Sequence, residues 1–149
     1  MNTPVPTPTG KVYTGARLVL GLVFFVFGLN GFFGFIPQPE HTGAAGAFLG
    51  GLASASYFFP LLKGTEVLVG LALLTHRLVP LALVVLAPIT LNILAFHAFL
   101  EPSTVAMSMV LTALHLGLAW QWRQAYAPLL PQGSSAPRVV VATTAARAV

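Results

Sequence analysis

The chain contains no cysteine. Disulfides, thiol redox chemistry and thioether-linked haem are therefore excluded, and any sulfur transfer would need another polypeptide. Charge is almost as scarce. Only 7% of the 149 residues are charged, against about 25% in a typical soluble domain. A soluble fold made from such a chain would lack polar groups for its surface. The net charge of +4 is small and dispersed, with no basic stripe or arginine-rich face, so no nucleic-acid partner is expected. No His-x-x-x-His pair and no clustered set of acids occurs, so no metal site is expected either. What the chain does have is apolar surface, 56% of its residues being hydrophobic. The natural solvent for such a chain is the lipid bilayer.

Four apolar runs are long enough to span, at residues 17–36, 57–75, 78–100 and 104–122, given about 1.5 Å of rise per residue. Turn residues or charges bound each one: Pro37, Pro39 and Glu40, then His76 and Arg77, then Glu101, Pro102 and Ser103, and finally Arg123 and Gln124. Short connections make the last three runs antiparallel neighbours. The expected fold class is all-α, a polytopic four-helix membrane bundle. The longest connection carries a small-residue stretch around Gly43, Gly46, Gly50 and Ala53, too short to span and expected as an interfacial helix over the bundle mouth. Residues 1–12 and 131–149 are expected to be flexible tails around a transmembrane domain of residues 13–130. The first run is too long for a secretory signal and its N-terminal flank only slightly basic, so it is expected to stay in the mature protein.

Lys11, Arg17, Arg77, Arg123, Arg138 and Arg147 fall on one side of the spans, whereas Glu40 and Glu101 occupy the other connections. By the positive-inside rule, both termini are cytoplasmic.

Lys63 and Glu66 interrupt the second run. Each charge costs roughly 2.5–3.5 kcal/mol at a membrane helix centre on insertion scales. At i,i+3 they share one face and partly neutralise each other. Counting from each span's centre, Glu66 is central, and Lys63 and Asn92 lie about 4–5 Å outward. Asn30 lies within about a turn of that layer, His97 nearer the outer mouth, and His115 at about the height of Glu66. His97 and His115 differ in depth by about 13–15 Å, too far for one bis-histidine haem. Each polar group needs a partner that lipid does not supply. For Lys63 and Glu66 a structural ion pair and a proton or ligand site both stand open. Asn30 and Asn92 suit interhelical hydrogen bonds. His97 suits a bond to Glu101 in the headgroup region, and His115 a packing role. Arg17 suits a phosphate anchor. Trp120, Trp122 and Tyr126 suit an inner aromatic belt, and Tyr57, Phe58 and Phe59 an outer one. Pro88 cannot donate to the carbonyl of Val84, so a kink is expected there.

In combination, Arg17 with Gly21 and Phe24, Gly28 with Asn30, Phe59-Pro60 followed by Lys63, Gly64, Glu66 and Gly70, and Pro88 followed by Asn92, Phe96 and His97 resemble the DoxX family. Those are small four-helix bacterial membrane proteins, some linked to thiosulfate:quinone oxidoreductase and others to complexes handling oxidative or thiol stress. The resemblance implies a multi-pass protein of the bacterial inner membrane, associated with redox enzymes and in contact with quinone. It marks Arg17, Lys63, Glu66, Asn92 and His97 as functional candidates. In the catalytic version Lys63 or Asn92 bonds a quinone carbonyl while Glu66 passes the coupled proton, with Asn30, Asn92, His97 and Arg17 as ligand-binding candidates. Lacking thiols, the chain would then work beside a redox-enzyme subunit or as a homo-oligomer. The alternatives are a non-enzymatic scaffold that holds a partner at the bilayer, and a small-solute or proton pathway.

Overall fold

The computed structural model describes residues 9–129; the expected tails, residues 1–12 and 131–149, lie outside them except for residues 9–12, of which Lys11 and Val12 are helical. The described residues are all-helical. The helices are α1 (Lys11–Phe33), α2 (Gly43–Ser54), α3 (Phe58–Leu74), α4 (Val79–Phe99), α5 (Val105–Gln121) and α6 (Arg123–Tyr126), with 3-10 turns at Pro102–Thr104 and Ala127–Leu129. Three spans are long and apolar enough to cross a membrane: α1, α4, and α5 with its preceding turn. A fourth is added if α2 and α3, bent by 93° at their junction, count as one. By itself α3 has 17 residues, or about 25 Å of helix, at the short end of what crosses a bilayer core.

α1 starts at Lys11, earlier than the apolar run at Arg17 suggests. Gly10, with φ of 126°, turns the chain and its carbonyl accepts the Thr14 N–H at 3.0 Å. The far end closes on Gly34 in the left-handed region, φ 61°, whose N–H reaches the Asn30 carbonyl at 2.8 Å; such a C-terminal residue is usually glycine. Pro88 lies inside α4 without ending it.

α1 packs most extensively on α3, antiparallel. Gly21 meets Leu73, Gly28 meets Glu66 and Val67, Gly31 meets Lys63, and Gly70 meets Phe25. A Cβ at Gly28 would stand 2.8 Å from the Val67 nitrogen, and one at Gly70 2.5 Å from that of Phe25. These glycines therefore set the spacing of the two helices, as small residues do where helices meet in membranes. α4 pairs with α5, and the two pairs close on each other through α3–α4 and α1–α5 contacts. The core between them holds Leu20, Phe24, Leu73, Leu83, Leu86 and Leu118. Leu22, Phe27, Leu61, Leu68, Leu81, Leu91 and Leu116 face outward. Helices apolar on both faces suit a lipid surround.

Candidate functional site

Lys63 and Glu66 form an ion pair, Nζ donating to Oε2 at 2.8 Å. The Lys63 stem lies along Gly31 of α1, and the Glu66 Cβ lies against Gly28. Glu66 is buried, while about a quarter of the Lys63 side chain is accessible, 24% against 5%. The pair thus sits in the α1–α3 seam with the carboxylate inward and the ammonium toward the margin.

Asn30 stands one residue before Gly31 and turns back on its own chain. Its Oδ1 accepts the Ile36 N–H at 2.5 Å and its Nδ2 donates to the Ile36 carbonyl at 3.2 Å. The interhelical bond expected of it is replaced by a clamp on the turn after α1. That turn would otherwise leave a backbone donor and acceptor unpaired beside the helix end. His97 bonds Thr104, Nδ1 to Oγ1 at 2.7 Å, and not Glu101 as expected. Glu101 is held instead by His41, Nδ1 to Oε2 at 3.2 Å, which ties the α1–α2 connection to the α4–α5 turn. Phe96 reinforces this tie, its ring lying 5.7 Å from His41 and 5.9 Å from Phe48 of α2. Asn92 is exposed, and its amide makes no hydrogen bond among the described residues.

Arg17 belongs to the other end. Buried to 7% exposure, its Nη1 donates to the carbonyls of Leu73 and, at 3.1 Å, Leu74. It caps the C-terminus of α3 rather than reaching for lipid phosphate. The open carbonyls there carry partial negative charge, which makes that end a natural seat for a guanidinium. Its Nε is buried without a partner.

His115 has both ring nitrogens engaged. Nε2 donates to the Leu83 carbonyl at 3.0 Å, and Nδ1 lies 2.9 Å from Thr90 Oγ1. A carbonyl only accepts, so Nε2 carries the hydrogen. The histidine locks α5 to α4.

Sequence reasoning missed a second polar cluster at the Arg17 end. Trp122 Nε1 donates to Tyr13 Oη at 3.1 Å, and Tyr13 Oη lies 3.2 Å from His76 Nε2. Trp122 is thus buried at 7% exposure and is not a belt residue, although Trp120 at 69% suits that role. Tyr126 donates to the Pro80 carbonyl at 3.2 Å. Its burial, with Tyr13 nearby, pushes the phenol above its ordinary range. The available signal was Tyr13 itself, an aromatic with a polar tip a turn before Arg17.

The candidates are therefore not gathered into one pocket. Lys63, Glu66 and Asn30 share a neighbourhood on α1 and α3, His97 lies at the mouth, Asn92 faces outward, and Arg17 sits at the far end. Among the described residues, grooves open over Leu68, Leu71 and Arg77 and between Lys11, Ala16, Gly117 and Gln121. Neither is lined by Lys63, Glu66, Asn92 or His97. Among the described residues no three His, Asp or Glu side chains cluster as metal ligands would. No protein-family model, curated protein or solved structure matches the chain.

Proposed function

We propose that this chain is a four-span, DoxX-like subunit of the bacterial inner membrane that serves a redox system by associating with partners, without an enclosed reaction site of its own. α1, α3, α4 and α5 are the spans, both termini are cytoplasmic, and α2 rests at the outer interface. Lys11, Arg77 and Arg123 at one end and Glu40 and Glu101 at the other support this orientation. The redox link rests on the likeness of the motifs around Arg17, Lys63–Glu66 and Asn92–His97 to that family.

One observation carries the association reading: the polar side chains singled out in the spans are engaged within the chain, except Asn92. Lys63 holds Glu66, Arg17 holds α3, Asn30 holds Ile36, and His115 is saturated. The test replaces Lys63→Met and Glu66→Leu together, removing the pair without stranding a charge. The double variant should fold and keep the proteins that co-purify with the wild type from native membranes. A folded double variant that retains its partners yet loses cellular function would place chemistry at the pair instead.

A second reading is favoured by the accessible Lys63 ammonium, which has one partner and three hydrogens. It would donate to a quinone carbonyl from the bilayer, with Glu66 as the proton carrier. Wild-type protein purified with native lipid should then carry quinone that Lys63→Met lacks; equal absence from both ends this reading.

A further inference from the structure

We propose that the outward stripe of α4 is a self-association surface. Two copies pair along it, their Asn92 side-chain amides hydrogen-bonded to each other across a two-fold axis normal to the membrane. The inference rests on the reading of α4 as a membrane span.

The stripe is Leu81, Val85, Pro88, Asn92, Phe99 and the half-buried Ala95, within about 80° of one another on a straight helix. Leu81, Val85 and Phe99 are 56%, 38% and 83% exposed among the described residues. Asn92 is three residues from the middle of α4, so its amide sits about 4–5 Å from the helix centre, deep in the hydrocarbon. An amide there without a hydrogen bond costs free energy that a partner would relieve. Glu66 and Asn30, near that depth, are buried and paired within the chain, whereas Asn92 is exposed and its amide has no hydrogen bond among the described residues.

A second copy is the occupant whose chemistry matches this stripe. A carboxamide carries both donors and an acceptor, so it is its own complement, and a two-fold axis places it opposite itself. A single Asn in an otherwise apolar seam is the device by which helix pairs fix register and partner number. Ala95, one turn on, is small enough for close approach. Pro88, on the same stripe, has no N–H for the Val84 carbonyl, which leaves a second polar group on this side of the helix.

Because the natural chain has no cysteine, single cysteines report proximity cleanly. Ala95→Cys and, as control, Leu22→Cys on the exposed face of α1 are oxidised in native membranes. Ala95→Cys should give a disulfide-linked species of twice the chain mass, and Leu22→Cys should not. Adding Asn92→Leu should weaken self-association roughly 3- to 30-fold, whereas Asn92→Gln, which keeps the amide, should restore it. Equal cross-linking at both positions, or a dimer indifferent to Asn92→Leu, overturns the proposal. So does an adduct of Ala95→Cys with a different polypeptide that Asn92→Leu abolishes, since another protein then fills the stripe. Circular dichroism of the Asn92→Leu variant checks that it folds. A chain released from membranes by carbonate would defeat the spanning reading; one retained but monomeric would defeat only the pairing.

Discussion

At the scale of single residues, the same side chain is cheap or costly according to who stands beside it. Glu66 is tolerable in the α1–α3 seam because Lys63 is 2.8 Å away. Removing either partner strands a charge, and for a buried pair that costs about 3–5 kcal/mol. Lys63→Met and Glu66→Leu made singly should therefore lower thermal stability in detergent sharply, and the double substitution much less. A double variant as unstable as the sum of the singles would mean the two groups act independently. His76 offers a different test. It closes α3 with φ of 58°, its N–H bonded to Leu73 and that of Arg77 to Ala72 at 3.2 and 2.9 Å, a position glycine usually fills. From that position its ring bonds Tyr13. His76→Gly relaxes the backbone but cuts that bond, two effects of about 1 kcal/mol each and opposite sign. Its melting temperature should stay near wild type, while Tyr13→Phe, which only cuts bonds, should lower it.

At the scale of elements, the α1–α3 pair is set by backbone approach. Gly70→Val would drive a side chain into the Phe25 backbone, whereas Gly64→Ala, on the same helix, meets nothing within 4 Å. The first should unfold or displace α1 and the second should be nearly neutral, as read by thermal melts. Equal effects would show that α1 does not pack where these glycines place it. Tyr126 clasps the start of α4, and burial holds its phenol above the ordinary range. A raised phenol contributes stability that is complete below its unfolded pKa of about 10 and lost as pH rises through the higher folded value. Tyr126→Phe should therefore flatten the alkaline part of the wild-type stability profile and leave neutral pH little changed.

At the scale of the whole molecule, sidedness is the expectation most open to direct measurement. A reporter fused after Ala125 should be active only when it requires the cytoplasm, and one inserted at Gly43 only when it requires the periplasm. The reverse pattern would invert the molecule and put the His41–Glu101 tie on the cytoplasmic side. That tie and the Tyr13–His76–Trp122 cluster close opposite ends of the helix set, the first joining two connections and the second joining α1 to the α3–α4 connection and the α5–α6 junction. Stability at the ends therefore comes from polar contacts, and along the middle from apolar packing and close glycine approach.

The sequence by itself determined the helical class, the apolar spans and the presence of an i,i+3 pair, because composition and helical periodicity are local properties that need no knowledge of neighbours. It also carried the paired fate of Lys63 and Glu66, since one helix brings them together. For Arg17, Asn30, His97 and Trp122 the sequence suggested lipid phosphate, a neighbouring helix, Glu101 and an aromatic belt, and the structure gives each a different partner. Arg17 took carbonyls 56 residues away, and Trp122 took Tyr13 across 109. Distances of that kind depend on which helices pack together and in what register. The register of α1 on α3 follows from where Gly28 and Gly70 allow the backbones to meet, and the outward aim of Asn92 from which face of α4 its neighbours cover. Those are decided by the fit of whole surfaces, which no single helix encodes alone.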